Sequence, residues 1–185
     1  MSRIIILIEF FVFLAFVAGY NIFQRSRGND RLGEFPIRPV FFIAGKVGLG
    51  VSWGFMFIQA AGMQWVTIAV PEVMEYVAAV ILLPGIFFVI AAFLRLGKDS
   101  RFGVSEASGG LRTTGIYRIS RNPMYVGFYL VALASWVFSP HPLNIACGVV
   151  GIVVHHFVVL TEERFLLEKY GAAYETYKRE VRRYL

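Results

Sequence analysis

The chain holds one cysteine, Cys147, and three histidines. A lone cysteine excludes an internal disulfide, and no Cys/His cluster shows metal-ligand spacing. Charge is scarce as well. Asp, Glu, Lys and Arg make up 16% of the 185 residues, where a soluble domain carries about a quarter. That excludes an ordinary water-soluble globule. No internal repeat or low-complexity tract is visible, which counts against a carrier built from inverted repeats. The glycines at 109, 110 and 115 lack a Gly-Lys-Ser/Thr ending, and no strand precedes them. Neither a phosphate-cradling loop nor a dinucleotide fingerprint is present.

What fills the chain instead is apolar. Hydrophobic residues are 57%, aromatic residues 16%, and eighteen are Phe; mean hydropathy is +0.64. A bilayer-crossing helix needs about 20 mostly apolar residues. Five segments fit: residues 4–23, 40–61, 73–94, 124–138, which is short, and 143–160. The first also has features of a cleaved signal peptide, with Ala18-Gly19 near a cleavage position. Against that stand a basic start of only Arg3, an interrupting Glu9, and a run long for such a segment. The expected fold is an all-α integral membrane protein of one domain, residues 1–185, with about five transmembrane helices.

The basic residues sit between these runs. Arg25, Arg27, Arg31 and Arg38 follow the first span. Arg95, Lys98, Arg101, Arg112, Arg118 and Arg121 follow the third, and Arg164, Lys169, Lys178, Arg179, Arg182 and Arg183 lie in the tail. The connections after the second and fourth spans hold none. With an odd number of spans, this alternation puts the N-terminus outside and the tail in the cytoplasm. Trp65, Tyr76 and Trp136 near the opposite ends suit an interfacial belt. The net charge of +6 therefore points to topology and anionic lipid head groups rather than nucleic acid.

Chemistry is expected on the cytoplasmic face, from the long connection 95–122 and the charged, helix-forming tail from 161 onward. In "RNPMYVG", Asn122 suits an N-cap and Pro123 the first helical position. The same helix start, with Arg121 beside it, could also bind a carboxylate or phosphate. Glu162 and Glu163 stand at the expected end of the fifth span, where a cation would relieve their repulsion from the helix dipole. Seven residues earlier, His155 and His156 lie within the span, each on one face with a glutamate. Adjacent helical residues diverge by about 100°, so the pair is not expected to share one metal. Glu9 and Lys46 are the other charges inside spans, and intramembrane charges are functional candidates; they could pair or reach for the interface. Tyr170, Tyr174 and Tyr177 recur at helical spacing, as an interfacial stripe or cofactor contacts. An anion-binding element beside a diacid matches a zwitterion with extra positive charge, such as S-adenosylmethionine.

"GIYRISRNPMYVG" and "EERFLLEKYGAAYETYKREVRR" together resemble the paired blocks of the isoprenylcysteine carboxyl methyltransferase and phospholipid methyltransferase superfamily. The resemblance covers about residues 94–184 and places the cofactor-binding half at 94–185. It implies an integral membrane methyltransferase using S-adenosylmethionine in a cytoplasm-facing pocket closed by the connection and the C-terminal helices, with a lipophilic acceptor entering from the bilayer. An isoprenylcysteine-like carboxylate is the favoured acceptor and a phospholipid amine the next. Carried over by position, Tyr117, Arg121, Asn122, Pro123 and Tyr125 fall on the first motif. Glu162 and Glu163 match the diacid, Tyr174 and Arg183 the tail, and Leu111, Arg112 and Thr113 the stretch that lines the adenine. Arg183 is a candidate for holding the acceptor, and His155 and His156 for taking a proton. Asn122 replaces the usual His; it keeps hydrogen bonding but cannot carry a charge. A non-catalytic protein on this scaffold and a small carrier are the alternatives.

Overall fold

The computed structural model describes residues 1–26, 37–63, 68–96 and 110–185. Every regular element among them is helical: α1 (Ser2–Ser26), α2 (Pro39–Ala60), α3 (Glu72–Leu96), a 3-10 turn (Gly115–Arg118), α4 (Pro123–Phe138), α5 (Pro142–Tyr170) and α6 (Ala172–Glu180). Proline opens α2, α4 and α5, where a missing N–H costs nothing. Trp65, Lys98, Arg101 and Gly109 lie outside the described residues, as do the side chain of Arg25 and residues Arg27 and Arg31.

Among the described residues, four helices are long and apolar enough to cross a membrane: Ser2–Phe23, Pro39–Ala60, Glu72–Leu96 and Pro142–Tyr170. The fourth expected span, residues 124–138, is the shorter apolar helix α4. Its 16 residues rise about 24 Å, less than the hydrocarbon core of about 30 Å. Large apolar side chains on the outer faces, such as Ile8, Phe11, Val47, Val80, Phe87 and Val153, are exposed, as lipid contact requires.

Helix pairing follows from small residues. A Cβ on Gly127 of α4 would lie 2.6 Å from the Gly85 carbonyl oxygen of α3. A Cβ on Gly48 of α2 would lie 2.6 Å from the Cys147 oxygen of α5. Only backbones stripped of side chains approach so closely, the usual packing where lipid gives no hydrophobic drive. α1 lies parallel to α3. Ser2 Oγ and Arg3 Nε donate to Glu75 at 2.5 and 2.9 Å near both helix starts, and Tyr20 Oη donates to Phe93 O at 2.8 Å near both ends. Away from the charged end, a polar brace ties three helices together. Ser52 Oγ donates to Asn144 Oδ1 at 2.6 Å, Ser135 Oγ to Ser52 O at 2.5 Å, and Asn144 Nδ2 to Ser139 O at 2.7 Å.

One difference from expectation moves the site. α5 does not end near residue 160 but continues to Tyr170, where Gly171 (φ +50°) turns the chain into α6. Glu162 and Glu163 therefore stand about two turns before the helix end, and the dipole no longer disfavours them. The end of α3, the start of α4, the end of α5 and α6 gather at one charged end of the bundle.

Candidate functional site

Residues 110–114 run without regular structure into the 3-10 turn. Arg95, in the last turn of α3, donates to Thr114 Oγ1 and lies 3.5 Å from where a Gly115 Cβ would stand. Leu111 and Thr113 are half-buried beside this anchor, and Arg112 is exposed. Ile116 and Tyr117 then point inward and are buried.

At the next turn the sequence expectation for Arg121 meets a different partner. Its Nε and Nη2 donate to Glu163 Oε1 at 3.1 and 3.0 Å. Its Nη1 donates to the carbonyls of Lys178 and Val181 at 3.0 and 2.6 Å. A guanidinium has five N–H donors; these bonds use four, and the guanidinium also lies against the Tyr174 hydroxyl. Asn122 occupies the N-cap position without a side-chain cap bond. Its Nδ2 donates instead to Glu163 Oε1 at 3.0 Å and to Arg183 O at 3.2 Å. Pro123 has no N–H, and the Tyr125 amide is turned back to Asn122 O. Most of the anion-binding capacity of this helix start is thus already engaged.

Glu163 is the hub of the arrangement. Arg183 Nε and Nη2 reach its Oε2 at 3.0 and 2.9 Å, so the carboxylate lies between two guanidinium groups and an amide. The Glu163 and Arg121 side chains are only 8% and 7% exposed, and burial strengthens such charge-assisted bonds. The hydrogen bonds to Glu163 hold the Arg183 guanidinium still more firmly charged. The tail is strapped down by backbone as well: Arg121 N donates to Arg182 O at 3.0 Å and Ser120 Oγ to Arg183 O at 3.1 Å.

The tyrosines of α6 are not an interfacial stripe. Tyr174 and Tyr177 are buried and pack edge to face at 6.1 Å, while Tyr170 is half-buried. Tyr177 Oη donates to Tyr117 O at 2.6 Å, fixing α6 to the 3-10 turn. Burial, then the Glu163 charge, pushes the Tyr174 hydroxyl up to about 12; burial raises the Tyr117 and Tyr177 hydroxyls too.

Glu162 faces elsewhere. Tyr125 Oη donates to its Oε1 at 3.0 Å, and the Lys46 ammonium of α2 attracts it. Below it, His155 is buried, with Nδ1 2.7 Å from Gly151 O; that bond makes Nδ1 the donor and leaves Nε2 toward the ring cluster. The His155 ring lies 5.8 and 6.3 Å from those of Tyr125 and Phe128. His156 points to another neighbour, its Nδ1 2.7 Å from Tyr184 Oη. It lines a groove of about 650 Å³ between α4 and α5, whose walls are Val126, Leu130, Leu133, Ile152, Val153 and Phe157. Tyr129, His156 and Tyr184 make its one polar end.

The structure thus gathers Arg121, Asn122, Glu163 and Arg183 into one cluster, with Tyr174 packed in α6 beside it. A second cluster holds Tyr125, Glu162 and His155. His156 stands apart in the groove. Sequence reasoning missed Ser120, whose hydroxyl accepts from Asn122 N at 3.1 Å, and Tyr184, which joins groove and core. Neither carries a periodic or motif signal; only their long-range partners mark them.

Comparison with known proteins now adds the family. The phospholipid methyltransferase family profile matches residues 73–173, from α3 into the start of α6. The chain is also similar to the protein-S-isoprenylcysteine O-methyltransferase of Saccharomyces cerevisiae, 32% identical over 79 residues. That alignment covers 41% of this chain and 32% of the yeast protein, so the chain matches about a third of that relative's length. The profile spans more than half of the chain and takes in Arg121, Asn122 and Glu163 of the first cluster and all of the second, while Tyr174 and Arg183 lie beyond its end; with its membrane-length apolar helices, this integral membrane protein belongs to the phospholipid methyltransferase family.

Proposed function

We propose that this protein transfers a methyl group from S-adenosylmethionine to a lipophilic acceptor, at the charged end of the bundle and on the cytoplasmic side. The observation that carries the reading is a juxtaposition. A half-buried carboxylate, Glu162, accepts from Tyr125 Oη at 3.0 Å and is attracted by the Lys46 charge. Tyr125 also packs in one cluster with Tyr129 and Tyr184, which form the polar end of the α4–α5 groove. A charged cofactor and an apolar chain find suitable surfaces within one site.

The residues fit the cofactor's chemistry. Its ammonium, ribose hydroxyls and sulfonium need acceptors, and Glu162 offers a carboxylate whose Oε1 accepts from Tyr125 Oη. The backbone at Leu111, Arg112 and Thr113, with Tyr117 behind it, offers an edge for the adenine. Its carboxylate takes the exposed Arg112. In this reading Asn122, Pro123, Glu163, Tyr174 and Arg183 are positioning residues. They fix α4, α5 and the tail around the pocket.

When bound, S-adenosylmethionine supplies a methyl carbon on a positively charged sulfur. The C–S bond breaks as a bond forms to the acceptor, and the sulfur keeps the electron pair and becomes neutral. With a carboxylate acceptor the product is a neutral ester and no proton moves. The protein's task is alignment and exclusion of water, and positioning can supply about 7–11 kcal/mol. A lipid amine is the second reading, favoured by the family description. It would require loss of a proton, and His156 at the polar end of the groove is placed to take it.

The test is equilibrium binding of S-adenosylmethionine to protein purified in detergent. Saturable binding is expected, weakened about tenfold or more in Glu162→Gln, since a hydrogen bond to a charged group contributes about 1.5–3 kcal/mol. A folded wild-type protein that does not bind would overturn the methyltransferase reading and favour a non-catalytic scaffold.

A further inference from the structure

The tail runs from the charged cluster to the groove between α4 and α5, and it passes from one to the other at residue 183. Up to that point the backbone is pinned. Arg121 N donates to Arg182 O at 3.0 Å, and Ser120 Oγ and Asn122 Nδ2 donate to Arg183 O at 3.1 and 3.2 Å. The Arg183 guanidinium holds Glu163 Oε2 at 3.0 and 2.9 Å. Tyr184 comes next, and its side chain belongs to the wall of the groove. Its Oη lies 2.7 Å from His156 Nδ1, and its ring stands edge-on to Tyr129, 5.5 Å between centroids. Burial holds the Tyr184 hydroxyl above its usual range, so near neutral pH it is protonated and can donate to the imidazole. The residue is only half-buried. Rotation about its Cα–Cβ bond, from one staggered position to another, would carry the ring off His156 and leave the pinned backbone undisturbed.

We propose that Tyr184 is the gate of this groove: seated on His156 it closes the polar end, and an apolar chain with a hydrogen-bonding head enters by displacing it. The inference rests on the methyltransferase reading only for calling that ligand the acceptor. The walls at Val126, Leu130, Leu133, Val153 and Phe157 are apolar and suit a hydrocarbon chain. They offer a polar head nothing, and a buried polar group without a partner is costly. The head must therefore lie at the end made by Tyr129, His156 and Tyr184. There Tyr184 already occupies His156 Nδ1 and packs on Tyr129. A head with a hydrogen-bonding atom replaces the phenol bond for bond, so the exchange is nearly balanced and burial of the chain decides it. A bare hydrocarbon makes no such exchange and leaves Tyr184 seated. The polar end thus opens to chains that carry a head and stays closed to the plain lipid tails that surround the bundle. The pinned backbone at residues 182 and 183 keeps the gate beside His156, ready to close again when the ligand leaves.

The test uses pyrenyldodecanol and dodecylpyrene, which share ring and chain and differ in the terminal hydroxyl. Both are titrated into full-length protein in nonionic detergent without cofactor, and binding is read by energy transfer from tryptophan. Partition into micelles is the same for every variant and cancels. Tyr184→Phe keeps the ring and removes the bond to His156. It should bind the alcohol about three- to tenfold tighter than wild type, the scale of one hydrogen bond, and the hydrocarbon within about twofold of wild type. In a His156→Phe background the bond is already absent, so adding Tyr184→Phe should change the alcohol's affinity by less than about twofold. Unchanged or weaker binding of the alcohol in Tyr184→Phe overturns the proposal, as does an equal gain for both probes or binding of neither. Should the variants fail to fold, wild type carrying fluorotyrosine at position 184 decides. The alcohol should move its fluorine resonance saturably and the hydrocarbon should leave it in place; no movement, or the same movement with both, overturns the gate. S-adenosylmethionine binding to wild type is measured in parallel. Its absence removes the methyltransferase reading alone, because neither probe measurement uses the cofactor.

Discussion

Glu162 and Glu163 are neighbours in sequence and face different surroundings, because successive residues of a helix point about 100° apart. Glu163 turns to Arg121, Asn122 and Arg183. Glu162 turns to Tyr125 and Lys46. Their substitutions should separate accordingly. Glu163→Gln leaves two guanidinium groups around a neutral amide, and breaking a buried pair costs about 3–5 kcal/mol. A clear drop in thermal midpoint in detergent is expected, along with protease access to the tail after Gly171. Glu162→Gln should leave the midpoint nearly unchanged and weaken cofactor binding. If the two variants melt alike, the division of roles between the diacid's members is wrong.

At the scale of elements, close backbone approach sets the helix pairs. Gly127→Ala would put a methyl group 2.5 Å from Val89 Cγ2, 2.6 Å from Gly85 O and 2.9 Å from Val89 N. Two of these are backbone atoms, which cannot rotate away. The α3–α4 pair must then separate, and overpacking of this kind costs about 1–3 kcal/mol. Gly50→Ala is the control, since a Cβ there meets nothing within 4 Å. Thermal unfolding of both variants in one detergent should show a loss for the first and little change for the second. The length of α5 belongs to this scale too. Apolar content marks its span only to about residue 160. The polar stretch beyond is helical because its own side chains serve two sets of neighbours, Glu162 toward α4 and α2, and Glu163 toward the tail. A hydropathy reading sees the polarity and not the partners.

At the scale of the whole molecule, the charged end collects the end of α3, the start of α4, the end of α5 and α6. From the distribution of Lys and Arg we propose that this end faces the cytoplasm. A reporter at the C-terminus, active only in the cytoplasm, should be active, and the same reporter at the N-terminus silent. The reverse pattern would invert the topology and put the site on the wrong side for a cytosolic cofactor. Strapping of the tail by Arg121, Ser120 and Asn122 also makes the charged end one body, so changes at Arg183 should reach the 3-10 turn.

The amino-acid sequence by itself determined the helical, membrane-embedded character, the approximate spans and the charge asymmetry. Those follow from local composition and from counts of residues along the chain. Motif spacing also singled out Arg121, Asn122, Glu162, Glu163 and Arg183, which the fold gathers at the charged end of the bundle. Their pairing was settled by the tertiary structure alone. Arg121 and Glu163 are 42 residues apart, and a guanidinium beside a helix start reads equally as an anion site or as half of an ion pair. Only folding shows that Glu163 and the tail carbonyls occupy most of its donors. Lys46 is the converse case. In sequence it is an isolated charge in an apolar run, and only the packing of α2 on α5 puts it within reach of the Glu162 charge, because that placement depends on helix register and glycine-limited approach rather than on anything local to the residue.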